Sequence, residues 1–138
     1  MIVNDQGHVL AIERADIPGA WQLPQGGLDE DEEPLDAAYR EIAEETGIAK
    51  ADLELVRAYP EPLVYELPPA ARSRKTGRGQ VLYWFLFRFV GNQWVATANH
   101  EARASRWMPF EQVIENVASF RRPMYMRLAQ QFREYLER

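Results

Sequence analysis

A chain of 138 residues with 16 basic and 21 acidic side chains, a net charge of −5 and no cysteine has the length of one domain and can bury a proper core. Without cysteine there is no disulfide framework, no thiolate zinc site and no thiol nucleophile, and His8 and His100 are too few and too isolated for a His-based metal site. No apolar run reaches the ~18 residues of a membrane span and no charged-then-apolar start reads as a signal peptide, so cytoplasmic residence is the default expectation.

Met1-Ile2-Val3 reads as the tail of a strand. The turn residues Asn4-Asp5-Gln6-Gly7 lead into residues 8–13 (HVLAIE), whose alternation predicts a strand. A helix is predicted from Pro34, which suits a first helical position because its missing N–H costs nothing there, to Thr46. Asp36 complements the dipole in the first turn, and Gly47 is a natural C-terminal stop. At roughly 100° per residue, Leu35, Ala38, Tyr39, Ile42 and Thr46 form one stripe, and Glu41, Glu44 and Glu45 occupy a neighbouring arc. Residues 53–59 and 63–67 read as strands parted by Pro60 and Pro62. Residues 80–90 (QVLYWFLFRFV) are the strongest strand signal, aromatic and β-branched, long enough to cross a sheet centre. A short strand at 105–108 precedes amphipathic helices at 109–117 and 122–136, the second with Tyr125, Leu128, Ala129, Phe132 and Leu136 on one side. No repeat, low-complexity stretch or linker interrupts this order, so residues 1–138 read as a single α/β domain.

Charge is distributed unevenly. Nine of the 21 acids lie in the 17 positions 29–45, where the net charge is −8, while everything outside sums to +3. Glu41, Glu44 and Glu45 stand at i, i+3 and i+4, within about one helical turn of each other, where like charges repel. A charge run is usually a solvated helix face. The other reading is a cation site, and hard oxygen ligands of this kind suit Mg²⁺ or Mn²⁺. An acidic pocket in a mildly basic body suits a polyanionic substrate that arrives with its cations.

The spacing sharpens this. Gly26, five residues, Glu32, seven residues, then Arg40-Glu41-Ile42-x-Glu44-Glu45-x-Gly47-Ile48 resembles the Nudix box, GX5EX7REUXEEXGU, at every fixed position. The resemblance implies an α/β/α sandwich around a mixed β-sheet and a hydrolase of nucleoside diphosphates linked to another group. It implies Glu41, Glu44 and Glu45 as ligands of Mg²⁺ or Mn²⁺, with a backbone carbonyl of Gly26 or Gly27 completing the coordination. Arg40 and Glu32 are implied as a pair that orients the ligands. Members of the family usually carry several more residues before Met1, so the first strand is expected to be short and its start truncated.

Trp21-Gln22-Leu23-Pro24-Gln25-Gly26-Gly27 looks like the approach to the box in diadenosine tetraphosphate hydrolases and bacterial RNA pyrophosphohydrolases. Gly79-Gln80 with Trp84-Phe85-Leu86-Phe87-Arg88-Phe89, and Ser119-Phe120-Arg121-Arg122 with Tyr125, resemble the same subgroup. The resemblance brings Trp21, Gln25, Phe120, Arg121 and Arg122 forward as substrate contacts, and Tyr65, just ahead of the basic loop at 72–78, reads as a further phosphate or base contact. Phe120 reads either as a platform for a base or as a core residue, and Arg121 and Arg122 either as phosphate ligands or as solvated side chains at a helix start. Arg72, Arg74, Lys75 and Arg78 form either a phosphate clamp or a solvated connector. The chain departs from the subgroup at Val81-Leu82-Tyr83 and at Ala15 after Arg14, where the subgroup often carries polar or basic residues.

The implied chemistry is metal-assisted hydrolysis of a phosphoanhydride, with Glu44 or Glu101 accepting the proton of the attacking water. The expected ligand is a nucleotide polyphosphate such as diadenosine tetraphosphate. The alternatives are the 5′ end of RNA and a non-catalytic nucleotide-binding Nudix module, which an intact box argues against. The oligomeric state is not legible.

Overall fold

The computed structural model describes residues 1–25, 28–29, 31–74, 77–91 and 102–136. Its central sheet has six strands: β1 (Ile2–Val3), β2 (Val9–Arg14), β3 (Trp21–Gln22), β4 (Leu53–Ala58), β7 (Phe85–Phe89) and β8 (Ala102–Met108). A separate hairpin pairs β5 (Leu63–Glu66) with β6 (Gly79–Leu82). β8 lies along one edge of β2, while β1 and β3 share the other, β1 at its start and β3 at its end. β7 then runs parallel to β1 and antiparallel to β4, which makes the sheet mixed.

Alternation along the strands splits the core in two. Ile2, Leu10 and Phe87 face helix α1 (Pro34–Thr46), packing with Ile42, Ile48, Leu35, Ala38 and Tyr39. Val3, Val9, Ala11 and Leu86 face helices α2 (Phe110–Asn116) and α3 (Arg122–Gln131), against Phe110, Val113, Tyr125, Leu128 and Phe132. Side chains of opposite strand parity therefore enter opposite cores, and the result is an α/β/α sandwich.

Helix α1 has the expected ends. Pro34 opens it, and Gly47 closes it in the left-handed region at φ 78°, its N–H donating to the Ala43 carbonyl. Two expectations need correction, and one element was not foreseen. The run at 80–90 is not one strand: β6 stays with β5 outside the main sheet, and the chain crosses to β7 at Tyr83-Trp84. Trp84 is buried there, its indole N–H donating to the Met124 sulfur at 3.3 Å, while Tyr83 is exposed. The last helix ends at Gln131, and residues 133–135 form a 3₁₀ turn. Trp21–Gln22 is a strand that two residues of pattern could not announce. Gly79 is required where it stands, because a Cβ there would collide with the Tyr65 carbonyl across the hairpin.

Candidate functional site

Arg40 organises the acidic segment. Its Nε and Nη2 donate to the two carboxylate oxygens of Glu32 at 2.8 and 2.9 Å, the two-pronged geometry that suits guanidinium and carboxylate. Its Nη1 donates to Glu41 at 2.7 Å and to Glu44 at 3.3 Å. Asp29 adds a carboxylate 3.5 Å from Nε, and its own N–H donates to Glu32 at 3.0 Å. One guanidinium thus ties the loop before α1 to two carboxylates of the helix. The Arg40 hydrogen bonds, followed by the Asp29 N–H, hold the Glu32 carboxyl down at about 2. The Arg40 guanidinium is raised in turn, first by Glu32.

Glu45 faces another way. It is buried, and its carboxylate accepts the Gln25 backbone N–H at 3.0 Å. Two residues upstream, the Leu23 N–H donates to the Tyr125 hydroxyl at 2.9 Å. The segment 21–25 is therefore pinned to α1 by Glu45 and to α3 by Tyr125. Burial first of all raises the Tyr125 hydroxyl well above its ordinary range, while the Leu23 N–H and the Arg121 charge act against that shift.

Arg121 is buried, with its guanidinium 4.8 Å from the Phe120 ring centroid and 5.1 Å from that of Tyr65. The two rings lie 5.3 Å apart. Nη2 donates to the Tyr65 hydroxyl at 3.4 Å, Tyr65 donates to Gln80 at 2.7 Å, and Arg121 Nε has no partner among the described residues. Arg122 is exposed and donates to the Ile114 carbonyl at 3.1 Å, so it does not join this group. Tyr65 is buried rather than presented to solvent. Trp21 is half-buried and carries the Arg106 guanidinium 4.8 Å from its ring centroid.

At the other end of the acidic row, Glu41 lines a cleft with Pro24, Gln25, Leu28, Tyr83 and Trp84. At the end of β5, Glu66 pairs with two residues of the loop before β6, Arg78 at 3.0 Å and Arg72 at 4.0 Å, and Arg14 is taken by Asp16 at 2.6 Å. Gly26, Gly27, Lys75 and Glu101, all singled out from the sequence, lie outside the described residues.

As the side chains stand, no three acids among the described residues converge on one point. Glu41 and Glu44 are drawn to Arg40, and Glu45 to Gln25. The donor set nonetheless fits a hard divalent cation: three carboxylates within one turn, oxygen only, with Arg40 already bringing Glu41 and Glu44 together. Sequence reasoning missed the parts played by Asp29, Gln80 and the Tyr125 hydroxyl. A Tyr rather than a Phe at a fully buried helical position was the available signal.

Comparison with known proteins agrees with this geometry. Residues 1–128 match the NUDIX domain family. The RNA pyrophosphohydrolase of Cereibacter sphaeroides is 38% identical over 143 residues, spanning 99% of this chain and 88% of that protein. The RNA pyrophosphohydrolase of Rhodospirillum rubrum is 40% identical over 131 residues, spanning 91% and 78%. Among solved structures, an Ap4A hydrolase of C. elegans in a binary complex superposes with a TM-score of 0.73 at 20% identity, covering 96% of this chain and 93% of that one. At that identity the likeness shows the fold.

Proposed function

The chain belongs to the Nudix hydrolase family, and from that premise we propose that it hydrolyses phosphoanhydride bonds in dinucleoside polyphosphates such as diadenosine tetraphosphate, with Mg²⁺ or Mn²⁺. The observation that carries this reading is the anchoring of residues 21–25 to Glu45 of the acidic row and to Tyr125 of α3, the helix that begins just after Phe120 and Arg121. Tyr65 and Phe120 supply aromatic faces and Arg121 a guanidinium, the groups that a nucleotide's base and phosphate call for.

Glu41, Glu44 and Glu45 would hold the cation. When bound, it supplies charge neutralisation on the phosphate chain and lowers the pKa of a water. Arg40 fixes Glu41 and Glu44 in the row and cannot itself lose its proton, so it acts as a positioning residue. Arg121 carries a buried N–H without a partner among the described residues, which a phosphate oxygen reaching it would satisfy. The attacking water forms a new P–O bond as the anhydride P–O bond breaks, and its proton passes to a carboxylate, with Glu44 and Glu101 as the candidates. Glu44 is the more exposed of the row and therefore within reach of a solvent-derived nucleophile.

A second reading, removal of pyrophosphate from a 5′-triphosphorylated RNA, has its own support: both bacterial relatives carry that name. The pairing of Arg72 and Arg78 with Glu66, and of Arg14 with Asp16, leaves these arginines less available to an RNA backbone and favours the smaller ligand. The test is side-by-side incubation of the purified protein and Mg²⁺ with diadenosine tetraphosphate and with triphosphorylated RNA. Cleavage of neither would reject both readings, and cleavage of RNA alone would reverse their order.

A further inference from the structure

Arg14, Arg40, Arg78 and Arg88 each sit on a carboxylate, that of Asp16, Glu32, Glu66 and Glu54 respectively. A different arrangement holds where the end of β4 meets the end of α3. There Arg57, Arg127 and Arg133 line an open cavity of about 620 Å³ together with Tyr59, Gln130 and Gln131, and no acid lines it. Among the described residues the Arg127 and Arg133 side chains have no ion pair, and Arg57 has an exposed one, with Glu134 at 3.2 Å. Three like charges in one concavity repel each other, and an anion placed between them removes that cost. The two amides and the phenol are uncharged hydrogen-bonding groups, which suit a ligand rich in oxygen rather than an apolar one.

Guanidinium groups match phosphate oxygens in pairs. Arg127 and Arg133 are six positions apart, roughly 9 Å of rise at helical spacing, and Arg57 adds its charge from β4. One phosphate group is too small to touch all three, whereas a chain of phosphates can. Tyr59 packs edge-on against Phe132, their ring centroids 6.2 Å apart, and both belong to the core of α2 and α3. Helix α1 lies across the sheet, on Ile2, Leu10 and Phe87, and the cleft beside Glu41 shares no lining residue with this cavity. We propose that Arg57, Arg127 and Arg133 form a second anion site, which binds a chain of phosphates, free or carried by a nucleotide, apart from the place where phosphoanhydrides are cleaved. Its ligand is independent of which substrate the acidic row serves.

Titration calorimetry with tripolyphosphate in EDTA tests this, because without a divalent cation the acidic row repels the ligand. The parent should bind one equivalent. Arg127→Ala and Arg133→Ala should each weaken binding by roughly five-fold or more, the scale of a charge-assisted hydrogen bond partly screened by solvent, and Arg127→Lys should lose less. Glu134→Gln removes no arginine but frees Arg57 from its acid, and should tighten binding by about two-fold, which keeps the test sound if an arginine variant folds poorly. Arg88→Ala, elsewhere on the surface, should change nothing, and Arg127→Ala should hydrolyse diadenosine tetraphosphate at the parent rate. ATP bound as well as tripolyphosphate would assign the chain to a nucleotide, and weaker ATP binding would assign it to a free polyphosphate. No binding by the parent, or an equal loss in Arg88→Ala, would overturn the site. So would citrate bound as tightly, which would make the cavity a place for carboxylates such as those of an acidic peptide. A 5′-hydroxyl RNA bound far more tightly than tripolyphosphate would also overturn it, and would give this surface to an RNA backbone.

Discussion

Tyr125 shows how a single atom sets the site. Its hydroxyl is fully buried and its one described role is to accept the Leu23 N–H, two residues before the Gln25 N–H that holds Glu45. Tyr125→Phe should leave a buried donor unpaired and cost about 1–3 kcal/mol, read from denaturant unfolding. Turnover should also fall, because the segment that anchors Glu45 loses one of its two ties. A variant as stable and active as the parent would show that water or a neighbour satisfies Leu23. The carboxylates call for a different substitution. Glu44→Gln and Glu45→Gln keep the shape, and in Glu45 they keep an oxygen for the Gln25 N–H, so folding should persist. Activity should drop more than about 100-fold, beyond the usual cost of disturbing a residue that merely supports a metal ligand. Near-normal turnover in both variants would remove α1 as the metal site. At this scale, residue identities were readable in the sequence but directions were not. Nothing in Phe120-Arg121-Arg122 says that Arg121 turns inward to Tyr65 while Arg122 reaches the Ile114 carbonyl, because adjacent positions at a helix start diverge by about 100°.

Between elements, Arg40 is the joint that fastens the loop before α1 to the helix. A carboxyl lowered from its ordinary 4.5 to about 2 stabilises the fold fully above about pH 4.5, and that contribution declines as the pH falls from there toward 2. Arg40→Ala removes the first cause of the shift. Its melting temperature should lie below the parent's at pH 7, and the gap should narrow as the pH drops from 4.5 to 3. A gap constant across that range would mean that Arg40 supports the loop by packing rather than by charge. The ends of α1 were legible because their signals are local: a proline at the first position, and a glycine that accepts φ 78° at the last. The break between β6 and β7 was not. Residues 80–90 contain no turn former, and what divides them is the burial of Trp84 against Met124, 40 positions away. The Leu23–Tyr125 clasp, across 102 positions, is hidden for the same reason.

For the molecule as a whole, charge distribution bears on what it binds. The interleaved strands and helices were readable from periodicity and the box from its spacing, because one helix period and one set of fixed offsets are written within short windows, while the α/β/α layering was what the resemblance to the family implied. The ligand is harder, since it depends on which arginines reach it and which are held by acids. Arg72 and Arg78 are drawn to Glu66, Arg57 lies 3.2 Å from Glu134, and Arg88 lies 3.3 Å from Glu54. Exposed pairs of this kind are weak, roughly 0–1 kcal/mol each, but a phosphate must still compete with a carboxylate already in place. Binding that neutralises many backbone phosphates weakens steeply with salt, by roughly one power of salt concentration per contact. A nucleotide-sized ligand held by Arg121 and a stacked base makes few such contacts. KM for diadenosine tetraphosphate should therefore change little between 50 and 200 mM salt, and Phe120→Ala should raise it for dinucleotide and RNA alike, since both need the base platform. Steady-state kinetics across that salt range, with both substrates and at fixed Mg²⁺, provide the check. A steep salt dependence combined with fast conversion of triphosphorylated RNA, while diadenosine tetraphosphate stays intact, would mean that the exposed arginines let go of their acids to follow an RNA backbone.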